Sequence, residues 1–482
     1  MTDKVRLHFQ RNGTRRAFLK RGGLGIGSLA LAEMLGATPV LGQQNLGELG
    51  ATHHAPRAKR VIYLHMFGAI SHVDTFDYCP KLEEMHGQQI PASVMGEGRV
   101  STMVQGQTQF PLVRNLAPFR QHGASGAWVS DFWPHVGAIA DELCFIKSMH
   151  TEHVNHNPAA QFLQTGFQLA GRPSFGSWVS YGLGSDNYNL PSFIVLNNMG
   201  PGQGQNMDSA NFAAGFLPSH FQGVQFMRGA HPVHYVDTPS GLALPEQGED
   251  IAAINALAMA QYQQSGDDEI LSKISQYEMA FRMQTSVPEA TDISDEPEYI
   301  LDMYGPDVRN PGSFARQCLL ARRLAERNVK FTQLFYNGWD FHFGISAAQP
   351  AMSRTADKPI AALIMDLKQR GLLEDTLVVF TSEFGRTPYS QGDLTNPTFG
   401  RDHHPYAFTS WLAGAGVKPG FSYGETDDFG YNVVKDPVHV HDFNATLMHL
   451  LGIDHEKLTY RFQGRDFRLT DVHGQVVRAI LS

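Results

Sequence analysis

The run at residues 376–405, TLVVFTSEFGRTPYSQGDLTNPTFGRDHHP, carries the densest set of side chains able to do chemistry in this chain. Its first six residues are apolar and rich in β-branched types, which predicts a buried parallel strand at 376–381. Ser382, Glu383, Phe384, Gly385 and Arg386 follow at once. In open α/β sheets ligands bind beyond the carboxyl ends of the strands, so a carboxylate and a guanidinium stand where a site is expected. Arg401, Asp402, His403 and His404 arrive after a loop containing glycine and asparagine. Imidazole and carboxylate ligate divalent ions, and guanidinium matches oxyanions, so the two clusters point to a metal-assisted reaction on an anionic group.

Three further stretches repeat this placement. Residues 329–336 read as a strand and run into Asn337-Gly338-Trp339-Asp340-Phe341-His342, where Asp340 and His342 form a candidate pair of metal ligands. Residues 60–66, RVIYLHM, read as a strand that leads to Ser71, His72 and Asp74. That cluster is equally a site or a helix cap. His150, His153 and His156 recur at every third residue before Asn157-Pro158. A proline at the first helical position predicts a helix capped by Asn157, with His156 just ahead of its amino end. Such an end attracts anions.

The elements needed to present these residues alternate. Strands are expected at 193–196, 329–336, 376–381 and 407–413. Helices are expected at 174–184, 314–327, 361–369 and 442–451, and residues 137–146 pass from helix to strand. Residues 248–288 read as helical scaffold, and 197–226 as a long polar loop over the carboxyl edge. Residues 91–125 show no clear period, and 289–312 read as a connection. On the 314–327 helix, Phe314, Cys318, Ala321 and Ala325 share a face, with Arg322 and Arg323 largely off it. The alternation predicts an α/β fold with a doubly wound, mostly parallel sheet and helices on both faces.

With 482 residues and 42% apolar content the chain can bury a large core. The net charge of −9 carries no nucleic-acid signature. Cys79, Cys144 and Cys318 lie too far apart for a zinc motif or a disulfide framework. Residues 14–20, TRRAFLK, resemble a twin-arginine export signal, and the glycine-rich apolar stretch at 22–35 that follows is too short to span a membrane. The expected organisation is therefore an export signal at 1–42, a linker at 43–57 and a single α/β domain at 58–482. No membrane span is expected in the mature chain.

With these motifs in view, the chain resembles the alkaline phosphatase and sulfatase superfamily. It is most similar to the exported, sulfatase-like domain-of-unknown-function family numbered fifteen hundred and one. Residues 380–385, FTSEFG, resemble the sulfatase run F-T-S-D-H-G, and residues 438–453 resemble V-S-x-x-D-I-x-P-T-L-L-x-L-x-G-I. Residues 156–158, followed by Thr165-Gly166, resemble the C-x-P-S-R signature with its trailing T-G. Residues 337–342 and 400–405 look like the Asp- and His-bearing loops of phosphatases and phosphoglycerate mutases. The resemblance implies that His156 stands at the nucleophile position. The chain departs from the pattern at that nucleophile, at Phe67-Gly68 in place of an early Asp-Asp, and at Phe384 in place of a histidine.

Two functions compete. The first is an exported hydrolase of sulfate or phosphate esters using zinc, manganese or calcium. Asp340, His342, Glu383, His403 and His404 would be ligands, with His72 and Asp74 as further ones. Arg386 and Arg401 would hold the anion, and His156 would be nucleophile or ligand. Its partners would be a small-molecule or glycan ester and the twin-arginine export machinery. The second is a non-catalytic exported protein that binds an anionic glycan through a degenerate site. The absent nucleophile speaks for the second and the retained clusters for the first, which is the expectation carried forward.

Overall fold

The computed structural model describes residues 47–96, 101–229, 232–233 and 244–482. The expected export signal at 1–42 and the start of the expected linker lie outside the described residues. The chain divides into two compact units. The described residues within 47–233 and 287–482 belong to one, and residues 244–286 to the other. The described part of the second unit is helical, in Leu244–Ser265 and in most of Asp268–Thr291. Gly266, at φ +66°, breaks the helical run expected at 248–288 in two.

The first unit is built on β1 (Arg60–His65), β2 (Leu143–His150), β3 (Phe193–Gln203), β4 (Val224–Phe226), β5 (Phe331–Trp339) and β6 (Thr376–Thr381). It continues through β7 (Gly385–Gln391), β8 (Gly400–His404), β9 (Phe408–Ala413), β10 (Phe421–Tyr423) and β11 (Val438–His439). The main sheet runs β10-β2-β9-β6-β1-β5-β3-β4, with β11 also paired to β2. β1 pairs in parallel with both β5 and β6, while β9 is antiparallel to β2 and β6. The sheet is thus mostly parallel, and β1, β5 and β6 are buried along their whole length. This is why β6 and the middle of β1 read as continuous apolar runs instead of alternating ones, while β5 also buries Thr332, Gln333 and Asn337.

Helices cover both faces. On one, Val61, Tyr63, Phe331, Phe335, Leu377 and Val379 pack with side chains of α1 (His156–Thr165), α2 (Phe175–Leu183) and α5 (Val440–Leu450). Full burial of each large apolar side chain is worth about 1.5–3 kcal/mol, so the strand ends are held by a large packed core. α3 (Phe314–Glu326) and α4 (Ile345–Gln369) pack on each other and reach β5 and β3. α3 starts where Ser313 Oγ accepts from Arg316 N at 3.0 Å.

Several local expectations are corrected. α1 starts at His156 with Asn155 as its N-cap, so His156 is inside the first turn and Pro158 in its third position. α4 starts at Ile345, well before 361, and passes through Pro350 and Pro359. β3 extends to Gln203, into the stretch expected to be loop. Arg322 and Arg323 are buried with α3 because Asp366 and Glu296 neutralise them there. Residues 385–404 are an antiparallel hairpin of β7 and β8 in place of an open loop. All three cysteines are free and buried. Among the described residues no helix is long and apolar enough to cross a membrane.

Candidate metal centre

Four side chains meet beyond the carboxyl ends of the central strands: His156, Asp340, His342 and His403. Asp340 and His342 are carried by the turn that leaves β5, His156 by the first turn of α1, and His403 by β8. One oxygen is the common point. Asp340 Oδ1 lies 3.2 Å from His156 Nε2, 3.0 Å from His342 Nε2 and 3.5 Å from His403 Nε2.

The opposite nitrogen of each ring is already committed. His156 Nδ1 sits 2.6 Å from Glu383 Oε1, His342 Nδ1 2.6 Å from Gln391 Oε1, and His403 Nδ1 2.5 Å from Val154 O. Each of these partners is an oxygen acceptor, so each Nδ1 carries the hydrogen and each Nε2 keeps a lone pair. Three lone pairs then face one carboxylate oxygen. The buried Nε2 atoms of His156 and His403 have no hydrogen-bond partner. Arg386 Nη2, 2.6 Å from the same oxygen, offsets the carboxylate charge, but nothing offsets the lone pairs of the three nitrogens unless a cation or a proton sits among them. Ligand atoms about 2.0–2.2 Å from one tetrahedral ion stand about 3.3 Å apart; the three Nε2 atoms lie 3.0–3.5 Å from Asp340 Oδ1 and the four donor atoms within 4.8 Å of one another. The donor set therefore fits a divalent metal ion.

Glu383 is not one of the converging group. Its Oε1 accepts from Gly68 N at 2.8 Å as well as from His156, and its Oε2 is 2.9 Å from His65 Nε2. His65 Nδ1 in turn faces Gln164 Nε2 at 3.2 Å. Burial works against ionising Glu383, but His156 and His65 outweigh it and bring its pKa down to about 2. Gly68 is required in this contact. Its φ of +108° suits glycine, and a Cβ there would fall 2.7 Å from Asp340 N.

Asp340 is likewise held ionised. Burial opposes this, but His156, His342, His403 and Arg386 together keep its pKa far below the carboxylate range. Gln205 Nε2 donates to its Oδ2 at 2.5 Å. Burial also opposes protonation of His156, yet Asp340 and Glu383 leave its pKa raised. For His403 burial dominates, with Arg386, His156 and His342 adding to it, and the pKa falls to about 3.

The other expected site residues lie apart from this group. His403 and His404 are consecutive on β8, so their side chains leave opposite faces of the strand and only one can join the cluster. His404 Nε2 faces Tyr431 O at 2.6 Å, and its ring stacks on His72, whose Nε2 faces Gly430 O at 2.8 Å. Asp74 receives Arg401 at 2.8 and 3.0 Å in a fully buried bidentate pair. Arg401 also donates to the carbonyls of Thr387, Val113 and Arg114. Arg386 donates to the carbonyls of Ala69, Arg401 and Gly68 and to Asp340 Oδ1 at 2.6 Å. Both guanidinium groups are thus structural ties with internal acceptors, because the loops they cross-link bury them completely.

Sequence reasoning missed His65, Gln164, Gln205 and Gln391. His65 had a signal, a polar residue closing an apolar strand at its carboxyl end. The three glutamines had none, since they act only through neighbours brought in from distant segments.

The family described as "Protein of unknown function (DUF1501)" matches residues 58–481. The chain belongs to that family. No curated protein matches it by sequence. Among solved structures the chain is similar to the PsFucS1 sulfatase from Pseudoalteromonas sp., at 13% identity, covering 90% of this chain and 72% of that one, with a TM-score of 0.34. It is similar to a phosphonate monoester hydrolase from Silicibacter pomeroyi at 14% identity, covering 72% and 71%, with a TM-score of 0.33. It is also similar to alkaline phosphatase from the Antarctic bacterium TAB5 at 12% identity, covering 77% and 94%, with a TM-score of 0.30.

Proposed function

We propose that this member of the family is a metal-dependent hydrolase of sulfate or phosphate esters, exported by the twin-arginine route. The observation that carries the reading is the convergence of three imidazole Nε2 atoms on Asp340 Oδ1 with every Nδ1 tied down. Three nitrogens and one oxygen suit zinc or manganese, and argue against calcium, which takes oxygen ligands. A divalent ion there supplies a Lewis acid for an ester oxygen. Glu383, Gln391 and Val154 O hold the rings in the tautomer that leaves Nε2 open, and Arg386 and Gln205 hold the carboxylate. A cavity of about 410 Å³ beside His342, bordered by Met103, Gln107, Phe343, Asn396 and Phe399, offers room for the remainder of an ester.

A second reading is favoured by His156. The residue at the expected nucleophile position is drawn into the metal group, and Arg386 and Arg401 already serve internal acceptors. A protein that binds an anionic glycan through its metal, without turnover, uses the same residues.

One experiment separates the two. The purified protein is loaded with zinc or manganese and assayed on p-nitrophenyl sulfate, p-nitrophenyl phosphate and sulfated oligosaccharides. Turnover that disappears in Asp340→Asn supports the hydrolase. One bound metal per chain and glycan retention without turnover supports the binding protein, and absence of metal overturns both. Export is checked with Arg15→Lys and Arg16→Lys combined, which should leave the chain in the cytoplasm.

A further inference from the structure

Phe343 directly follows His342, and its side chain is 61% exposed. Met103 is 53% exposed, and both border the cavity of about 410 Å³ that reaches His342. Val104 and Phe399 add apolar surface to the same lining. Single exposed apolar side chains are ordinary, but several gathered around one cavity mark a place where something apolar is covered. Consecutive Cα atoms stand about 3.8 Å apart, so Phe343 is carried within one residue of a member of the metal group.

The backbone on both sides of Phe343 is pinned. Phe341 O accepts from Arg401 N at 3.0 Å, and Gly344 N donates to Thr398 O at 2.8 Å. The loop that carries Met103 is tied at both ends. Ser101 Oγ donates to Asp402 Oδ2 on β8 at 2.5 Å. Gln107 Nε2 donates to Ser390 O on β7 at 2.8 Å, and Gln107 Oε1 accepts from Gly392 N at 3.0 Å. The apolar surface is therefore held open before any ligand arrives, and a ligand laid on it does not have to order it. Asp393 and Asn396 give the lining a polar edge. Each spends Oδ1 on its own loop, on Thr395 N at 2.9 Å and on Thr398 N at 3.0 Å.

We propose that this wall is the subsite for the alcohol of the ester, and that the alcohol carries a ring with an apolar face, a sugar or an aryl group, laid against Phe343 and Met103. The inference rests on the metal-dependent reading above and adds to it which esters the site prefers. A ring covers the exposed aromatic face and removes it from water, whereas a short alkyl group leaves both side chains wet. Asp393 and Asn396 stand where hydroxyls at the edge of a sugar would find an acceptor and a donor. Phe343 and Met103 are thus specificity-determining residues, and the metal group takes the anionic end.

The test uses the zinc-loaded full chain and three phosphonates, whose carbon–phosphorus bond an ester hydrolase leaves intact. Dissociation constants of methylphosphonate, phenylphosphonate and glucosylmethylphosphonate are measured by calorimetric titration in wild type, Phe343→Ala, Met103→Ala and Phe343→Trp. In the wild type at least one ring compound should bind about tenfold tighter than methylphosphonate. That ratio should fall toward one in Phe343→Ala, fall partway in Met103→Ala, and persist in Phe343→Trp. Both side chains are exposed, so their loss removes no core packing. A preference for the phenyl compound identifies an aryl alcohol, and one for the glucosyl compound a sugar. Equal affinity for all three in the wild type, or a ratio unchanged in both alanine variants, overturns the proposal and leaves the metal centre standing. No binding of any phosphonate overturns both. Ring preference without turnover of any ester removes the hydrolase reading and keeps the subsite.

Discussion

His156 Nδ1 and Glu383 Oε1 lie 2.6 Å apart across 227 residues of chain. The contact joins the first turn of α1 to the second residue past β6, and it selects which nitrogen of His156 is left to face Asp340. Glu383 holds one imidazole toward the metal group and a second, His65, behind it. It is the pivot of the site without belonging to the converging set.

Glu383→Gln should therefore weaken zinc binding at the metal centre by about 10–100-fold, the usual cost of removing a carboxylate behind a ligating histidine. Asp340→Asn should abolish it. The two variants, compared with the wild type by titration, distinguish orientation from ligation. Equal loss in both would make Glu383 a ligand after all.

Zinc affinity at this centre should depend on pH through His156. Its raised pKa means that a proton on Nε2 competes with the ion already above pH 6.5. Affinity should fall by about tenfold per pH unit once the solution is below that pKa, for one displaced proton. His403, with its pKa lowered to about 3, should add nothing to the fall above pH 4. Titrations at pH 8, 7 and 6 in a non-coordinating buffer check this, and a flat profile would contradict it.

Arg401→Lys should lower stability and leave zinc stoichiometry unchanged. The substitution keeps a positive charge but cannot reproduce the bidentate contact with Asp74 or reach the three carbonyls that Arg401 also serves. Breaking a buried ion pair costs about 3–5 kcal/mol, so Arg401→Met should be worse still. Thermal unfolding and metal analysis on the same samples give the answer. Loss of metal with an unchanged Tm would restore Arg401 to the site.

His441 makes stability fall in mild acid. Burial, with His439 and His473 beside it, lowers its pKa to about 4, against 6.5 in the unfolded chain. Between those values the unfolded state binds more protons, so stability contributed by the neutral ring is present above pH 6.5 and is lost on descent toward pH 4. The limit is on the order of 3 kcal/mol. Urea unfolding in chelator at pH 7 and pH 4.5 measures it, and His441→Gln should show a smaller difference.

The strand at 376–381 and the strand opening at Arg60 were legible because a parallel sheet covered on both faces demands unbroken apolar runs. The turn after β5 was legible for a related reason. Polar residues packed directly behind such a run must face the carboxyl edge, and Asp340 and His342 do. Pro158 misled by two residues, since proline is tolerated anywhere in the first helical turn, where its missing N–H has no partner to lose.

Sequence by itself determined the mostly parallel α/β sheet, the family, and that carboxylates and histidines gather at one edge of it. Only the tertiary structure decided which of them meet. His403 and His404 are chemically identical neighbours, and the alternation of the β8 strand sends one to Asp340 and the other to Tyr431. Arg401 and Arg386 read as anion binders in one dimension, but the loops that close over them supply the acceptors. Glu383 has the chemistry of a ligand, but it lies behind the His156 ring, against Nδ1 and not Nε2, and so acts as a hydrogen-bond acceptor instead. Residue type limits what a side chain can do, whereas its role depends on which atoms the fold brings within about 3 Å of it, and those atoms come from segments far away in the chain.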